Sequence, residues 1–248
     1  MLLTYHINEK ERLLFWGEEL NTRDDFFVQT NCAIEQVELL LFLDSRGISA
    51  GFETSLIRMI LQELDNKFKY LVIGRPLEIT MWLTLYNFLR LNAINPRRII
   101  TNMGFVDFTP KKKSIIQLNA YQFTQYFNGI NAKLREVGKF KNQEGESMNL
   151  YVQEYPQRFM NELIRLFKRT EVVLIDTPFV SPETQFKRIR PTSFYDGLLA
   201  TNAFHAGYKD FLTIINLPVF GLNETYDGVH YTELGNQVIF QKLKPYLT

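Results

Sequence analysis

Cysteine is almost missing from this chain: Cys32 is the single one in 248 residues. One thiol cannot close an intrachain disulfide, and a Cys-based zinc site is excluded. Histidine is nearly as scarce. The three present (His6, His205 and His230) are too scattered to show metal-ligand spacing. No cofactor is expected. An excess of charge is lacking too: the net charge is +1, so no global field recruits nucleic acid or an anionic membrane. The basic runs Lys111-Lys112-Lys113 and Lys187-Arg188-Ile189-Arg190 are local, and their expected place is a solvated loop. No window approaches the ~18 consecutive apolar residues that would span a bilayer. The N-terminus has no basic segment followed by a long apolar run, which makes cytoplasmic residence the default expectation.

What is present suits an α/β domain. Apolar residues make up 46% of the chain and charged ones 22%, enough to bury a large core. The aromatic share of 14% reads as core and lid, with room for an apolar homo-oligomer surface. Val37 to Leu43 is a near-continuous apolar run, too short for a typical helix and suited to a strand buried on both faces. It ends at Asp44-Ser45-Arg46-Gly47. A helix follows from about Thr54, with Leu56, Ile57, Ile60, Leu61 and Leu64 on one face. The rhythm recurs. Strands are expected at 70–73, 98–103, 172–175 and 211–216. Helices are expected through Trp82, Leu85 and Leu89, through Phe159, Leu163 and Leu166, over 194–210, and from Leu234 to Leu247. Alternating strands and helices predict a doubly wound sheet of about five parallel strands. Two segments stand outside the rhythm. Residues 1–36 form an N-terminal extension with a hairpin about Glu9-Lys10 and a short strand at Phe26-Phe27-Val28. Residues 111–156 form a long polar insertion, of the kind that covers a site. No linker demands a second domain, so residues 1–248 are expected to form one.

The residues with chemistry converge on one edge. Ligands bind outside the carboxyl ends of strands in open α/β sheets. Ser45 and Gly74 follow the first two strands, and Gly104 follows the third. Asp227-Gly228-Val229-His230 follows the fifth. A histidine with a carboxylate three residues back can take and return a proton near neutrality, and Ser45 would supply the nucleophile. Asp44-Ser45 alone is an ordinary turn or helix cap. A competing serine, Ser49, sits in Gly47-Ile48-Ser49-Ala50-Gly51, which matches the Gly-x-Ser-x-Gly elbow but lies six residues past the strand. His205, in a predicted helix with no comparable partner, reads as structural, and Asp107 reads as an acceptor for loop N–H groups.

Taken in order, these blocks resemble the SGNH, or GDSL, hydrolases over roughly residues 37–247. Asp44-Ser45 is similar to the Gly-Asp-Ser block and Gly74 to the second-block glycine. Gly104-Phe105-Val106-Asp107 is similar to Gly-x-Asn-Asp, and Asp227-Gly228-Val229-His230 to the closing Asp-x-x-His with its helical continuation at Gly235. The resemblance implies a three-layer, flavodoxin-like α/β/α fold and a serine esterase acting on an O-acyl ester, preferably acetyl on a carbohydrate. In it Ser45 is the nucleophile, His230 the base and Asp227 its orienter. The N–H groups of Ser45 and Gly74 make the oxyanion site. Two alternatives stay open: acyl transfer to a glycan hydroxyl by the same triad, and a catalytically silent binding protein. The chain departs from the pattern at Leu43, where the family has glycine, and at Val106, where the family has an asparagine that donates to the oxyanion. Asn102, Arg46 and Arg75 are the candidate substitutes for that donor.

Overall fold

The structure, a computed structural model, describes residues 2–7, 10–15, 27–49, 52–64, 67–74, 81–91, 93–117, 120, 133–141, 145–184, 186 and 190–248. Its central sheet follows from the apolar runs. The strands β4 (Leu39–Leu43) and β5 (Tyr70–Gly74) are buried at every position, because helices cover both faces. The strands β6 (Arg98–Thr101), β10 (Glu171–Ile175) and β11 (Thr213–Ile215) complete a parallel set of five. A sixth strand, β3 (Phe27–Thr30), pairs antiparallel with β5 and closes one edge. The spatial order is β11-β10-β6-β4-β5-β3. Counting only the parallel strands in chain order, this is the flavodoxin-like order 2-1-3-4-5, whose switch point lies between β4 and β6. The chain leaves β4 and β6 toward opposite faces there, opening a crevice at their carboxyl ends. The predicted N-terminal hairpin is present as β1 (Leu2–Ile7) and β2 (Lys10–Phe15), in register from Leu2↔Phe15 to Ile7↔Lys10.

Helices flank the sheet on two sides. On one side α1 (Leu56–Leu64) buries the five predicted residues Leu56, Ile57, Ile60, Leu61 and Leu64. It neighbours the last helix, α6 (Glu233–Leu243), where Lys244 just past its end pairs with Glu63 at 3.2 Å. On the other side lie α2 (Met81–Leu91), α4 (Gln157–Phe167) and α5 (Thr192–Ala206). Trp82 of α2 joins all three, edge-on to Phe167 at 6.2 Å and to Phe204 at 4.8 Å. Among the described residues no helix is long and apolar enough to cross a membrane.

The polar stretch 111–156 holds a second sheet rather than loop alone. Its strands β7 (Lys111–Lys112), β8 (Lys133–Lys141) and β9 (Ser147–Glu154) run in the order β7-β9-β8, all antiparallel, with a bulge between Glu136 and Gly138. The sheet is anchored through α3 (Phe105–Phe108), the short turn after β6. The Tyr155 hydroxyl donates to Asp107 Oδ1, and Lys111 Nζ donates to the carbonyls of Val106 and Thr109. The expected solvated place of Lys111 is therefore corrected: its ammonium is turned inward onto orphan carbonyls of α3. Asp107 also faces the N–H groups of Met81 and Trp82 at the start of α2. Burial pushes the Asp107 carboxyl up, to about 7, against the pull of Tyr155 and Lys111.

The folded chain thus holds a proton on Asp107 where the unfolded chain has already lost it. Unfolding free energy is expected to fall as pH rises from the ordinary 3.8 to about 7. Asp107→Asn, which keeps an acceptor and removes the titration, should flatten that fall. Urea midpoints measured between pH 4.5 and 7.5 test it, and parallel curves for the two proteins would refute it.

Candidate active site

Ser45 is presented by a turn that the Asp44 side chain builds. Asp44 is the N-cap of a single 3-10 turn, Ser45–Ile48, and its Oδ1 accepts the Arg46 N–H at 2.9 Å. The Gly47 N–H closes the turn on the Asp44 carbonyl at 2.9 Å. As the first residue of the turn, Ser45 has a backbone N–H with no partner inside it. Asp44 is itself held. Its N–H donates to Asn102 Oδ1 at 2.8 Å, and Asn102 Nδ2 donates back to Asp44 Oδ1 at 2.9 Å. Arg46 folds over the same carboxylate, Nε to both oxygens at 2.9 Å and Nη2 to Oδ2 at 2.7 Å. It continues to Thr177 Oγ1 at 3.2 Å and the Asn102 carbonyl at 2.7 Å. The pair is 1% and 0% exposed.

The second half of the site explains why the spacing is Asp-x-x-His. Asp227 Oδ1 accepts the N–H groups of Val229 at 2.9 Å and His230 at 2.7 Å, an Asx-type turn. Gly228 takes φ +79, the left-handed value that glycine adopts without strain. The turn brings the ring at the third following position back over the carboxylate, and His230 Nδ1 lies 3.0 Å from Oδ2. One oxygen folds the loop while the other faces the ring. This bonding assigns the proton to Nδ1 and leaves Nε2 as the acceptor. Nε2 lies 3.5 Å from Ser45 Oγ, the long end of a hydrogen bond and the looseness usual without substrate. The Tyr226 ring stacks beside the imidazole, 5.7 Å between centroids and 13° from parallel, with half its surface exposed. Behind the loop, α6 is capped by Thr232, which accepts the Gly235 N–H at 3.2 Å. A Cβ at Gly235 would stand 2.1 Å from the Glu224 carbonyl, so this close approach admits only glycine.

Burial pushes the Asp227 carboxyl up. The hydrogen bonds from the His230 ring and from the N–H groups of His230 and Val229 outweigh it and hold the group well below the usual carboxylate range. Asp227 is therefore ionised at neutral pH. Arg190, expected in a solvated basic run, is instead 10% exposed and donates to the same carboxylate, Nη2 to Oδ2 at 2.9 Å.

Ser45, Asp227 and His230 are thus brought together, and several neighbours are not free to join them. Asn102, a candidate oxyanion donor, bonds to Asp44 from both ends of its amide and is 1% exposed. Arg46 is committed in the same way, and Arg75 lies outside the described residues. Gly74 is the last residue of β5, opposite Leu43 of β4, which sets it beside the strand that carries Ser45. Val106 is buried in α3 and has no side-chain donor. Ser49 is occupied: its Oγ donates to the Arg46 carbonyl at 2.7 Å and accepts the Tyr231 N–H at 3.1 Å, bonds that fasten the 3-10 turn to the histidine loop. His205 does have a carboxylate partner, Asp176, at 2.7 Å, which corrects the expectation that it lacked one. Its other nitrogen lies 3.0 Å from the Met103 carbonyl, and the ring is fully buried. It is a strut between α5, β10 and β6. His6 belongs to β1, whose side chains lie outside the described ones.

No family model matches the chain, and no curated protein matches it. Among solved structures that overlay on it is a GDSL-like lipase from Parabacteroides merdae, 14% identical over 87% of this chain and 99% of that one, with TM-score 0.46. A lipase/acylhydrolase from Enterococcus faecalis is 16% identical over 85% of this chain and 96% of that one, with TM-score 0.44. An acetyl xylan esterase, AlAXEase, is 14% identical over 85% of this chain and 99% of that one, with TM-score 0.48. At such identities and scores the functional reading rests on the site's own geometry.

Removing one partner of the Asp44–Arg46 pair strands a buried charge. Arg46→Met is expected to cost about 3–5 kcal/mol of unfolding free energy. Equilibrium urea unfolding measures this, and a cost below about 1 kcal/mol would show that the pair does not hold the turn.

Proposed function

We propose that the protein is a serine esterase that cleaves an O-acyl ester through an acyl-enzyme on Ser45. The observation that carries the reading is the single line of contacts from Asp227 Oδ2 to His230 Nδ1 and from His230 Nε2 to Ser45 Oγ, set at the switch point of the sheet. In the reaction, Ser45 Oγ attacks the acyl carbon as His230 Nε2 takes its proton. Asp227 stabilises the imidazolium and holds its tautomer. The carbonyl oxygen, now negative, is met by the N–H of Ser45 and by that of Gly74. Collapse breaks the bond to the leaving alcohol, which takes the proton from Nε2, and leaves the acyl group on Ser45. Water then attacks by the same sequence in reverse, releasing the carboxylic acid and restoring the serine.

Two features favour a carbohydrate hydroxyl as the alcohol of the ester. The half-exposed Tyr226 ring lies beside His230, where the leaving alcohol must receive its proton. Flat aromatic faces of this kind suit the apolar face of a sugar ring. Next to the histidine loop, Phe186 approaches Gly228, and a cavity of about 540 Å³ opens between Phe179, Phe186, Tyr195 and Asp196, the mixture of aromatic and polar walls that a sugar takes. No described contact favours transfer to a glycan over transfer to water.

The test combines covalent labelling with turnover. A fluorophosphonate should label the wild-type chain at Ser45, mapped by peptide mass. Ser45→Ala should abolish labelling, and His230→Ala should slow it by at least about 10³-fold. Hydrolysis of 4-nitrophenyl acetate should fall in step. A wild-type chain that neither labels nor turns over would favour the silent binding protein, and labelling at Ser49 would move the nucleophile.

A further inference from the structure

Arg190 touches the one group in the triad that never meets substrate. It precedes α5, whose N-cap is Pro191, and its guanidinium lies against the ring of Phe194 at 4.8 Å. From there it grips Asp227 twice. Nε and Nη2 donate to the Asp227 backbone carbonyl at 3.1 and 2.9 Å, and Nη2 also donates to Oδ2 at 2.9 Å. Oδ2 is the oxygen that faces His230 Nδ1, and Oδ1 is already taken by two backbone N–H groups. Each carboxylate oxygen therefore has two donors. The side chain cannot rotate about its last torsion without breaking bonds at both oxygens, and its backbone cannot shift without losing the guanidinium.

Resting on the triad reading above, we infer that Arg190 is a positioning residue for the acid of the triad, locking Asp227 onto His230. The planar fork is what makes the lock. A guanidinium can hold a carbonyl and a carboxylate at fixed angles together, whereas an ammonium on a flexible stem is a point charge that holds one or the other. The 10% exposure of the side chain keeps bulk water from competing for the same oxygens. Arg190 also places a cation on the same carboxylate oxygen that faces the imidazole. That cation offsets part of the attraction of Asp227 for a protonated ring, so its loss favours the protonated form. The charged and titratable groups about the ring are Asp227, Arg190, Ser45 and Tyr226 among the described residues. Only the first two carry charge at neutral pH.

The experiment measures fluorophosphonate labelling of Ser45 in wild type, Arg190→Ala and Arg190→Lys from pH 5 to 9, with ester kinetics and thermal unfolding beside it. A misplaced acid of this kind is expected to slow labelling of Arg190→Ala by about 10²-fold. The loss should fall on kcat with KM little changed, the acid limb of kcat/KM should move to higher pH, and added guanidinium should restore much of the rate. Arg190→Lys should label more slowly than wild type while keeping its acid limb in place, because it retains the cation and loses the fork. Wild-type rates in Arg190→Ala, or full recovery in Arg190→Lys, would overturn the positioning role. So would a loss in Arg190→Ala that guanidinium does not restore and that follows thermal stability alone. If wild type fails to label at Ser45, the triad reading itself falls and takes this inference with it, a result distinct from labelled wild type with unaffected variants.

Discussion

The buried pair of Asp44 and Arg46 is the constraint on which the site depends. Arg46 follows β4, Asn102 follows β6 and Thr177 follows β10, and the guanidinium bonds to groups from all three strand ends. Three neighbouring parallel strands are tied at the edge where the crevice opens. A buried ion pair is not by itself a source of stability, because desolvation costs several kcal/mol per ion. Its value here is specification. With Asp44 bonded by Arg46 and by Asn102, the buried polar groups of the cluster hold one arrangement of the turn, the one that presents Ser45. Burial lowers the affinity of Arg46 for its proton, but the adjacent Asp44 more than offsets it, so the guanidinium stays charged.

The histidine loop is organised by the same economy. Asp227 spends Oδ1 on two backbone N–H groups and presents Oδ2 to the ring, so the local turn and the pairing with His230 come from one side chain. The two halves of the site are then fastened by Ser49 and Asn236. The Ser49 hydroxyl bonds to Arg46 and Tyr231, and Asn236 donates to the carbonyls of Ser49 and Thr54. A serine that resembles a nucleophile in sequence is thus a clasp between the serine turn and the histidine loop. Positions 45 and 230 lie far apart in the chain, and their 3.5 Å approach is set by this clasp together with the sheet order.

Much of this was legible in the residues alone, for a physical reason. A strand buried on both faces must be apolar throughout, so β4 and β5 could be read from Val37–Leu43 and Tyr70–Ile73. A helix on a sheet must show one apolar stripe, so the α1 residues could be named. The Asp-x-x-His spacing is local geometry and survives without tertiary context. Less could be read where partners are distant in sequence. Nothing near residue 190 says that its guanidinium will meet Asp227, since a basic run looks the same solvated or folded inward. The strands β8 and β9 are amphipathic only weakly, and a polar antiparallel sheet resembles a loop in composition. The bonding of Asn102 to Asp44 could not be read for a related reason. Alternation along β6 told which way it points, but Asp44 decides what it bonds.

The site is unevenly furnished. On the acid side, Asp227 is held by four donors and Arg190 makes the geometry rigid. On the side where an oxyanion would form, Val106 has no side-chain donor, and the Asn102 amide is bonded to Asp44. The proposed reaction therefore draws on the backbone donors of Ser45 and Gly74. Losing one such donor costs about 2.7–4 kcal/mol of transition-state stabilisation. The turn that Asp44 builds offsets part of this, because an N–H fixed at the start of a helical turn is already oriented and adds no reorganisation cost as charge develops. A site of this design depends on rigidity rather than on the number of donors. Rigidity at Ser45 is what the buried Asp44–Arg46–Asn102 cluster supplies, and rigidity at His230 is what Asp227 and Arg190 supply. In the proposed reaction, residues remote from the ester carbonyl would thus set how well two backbone donors can work.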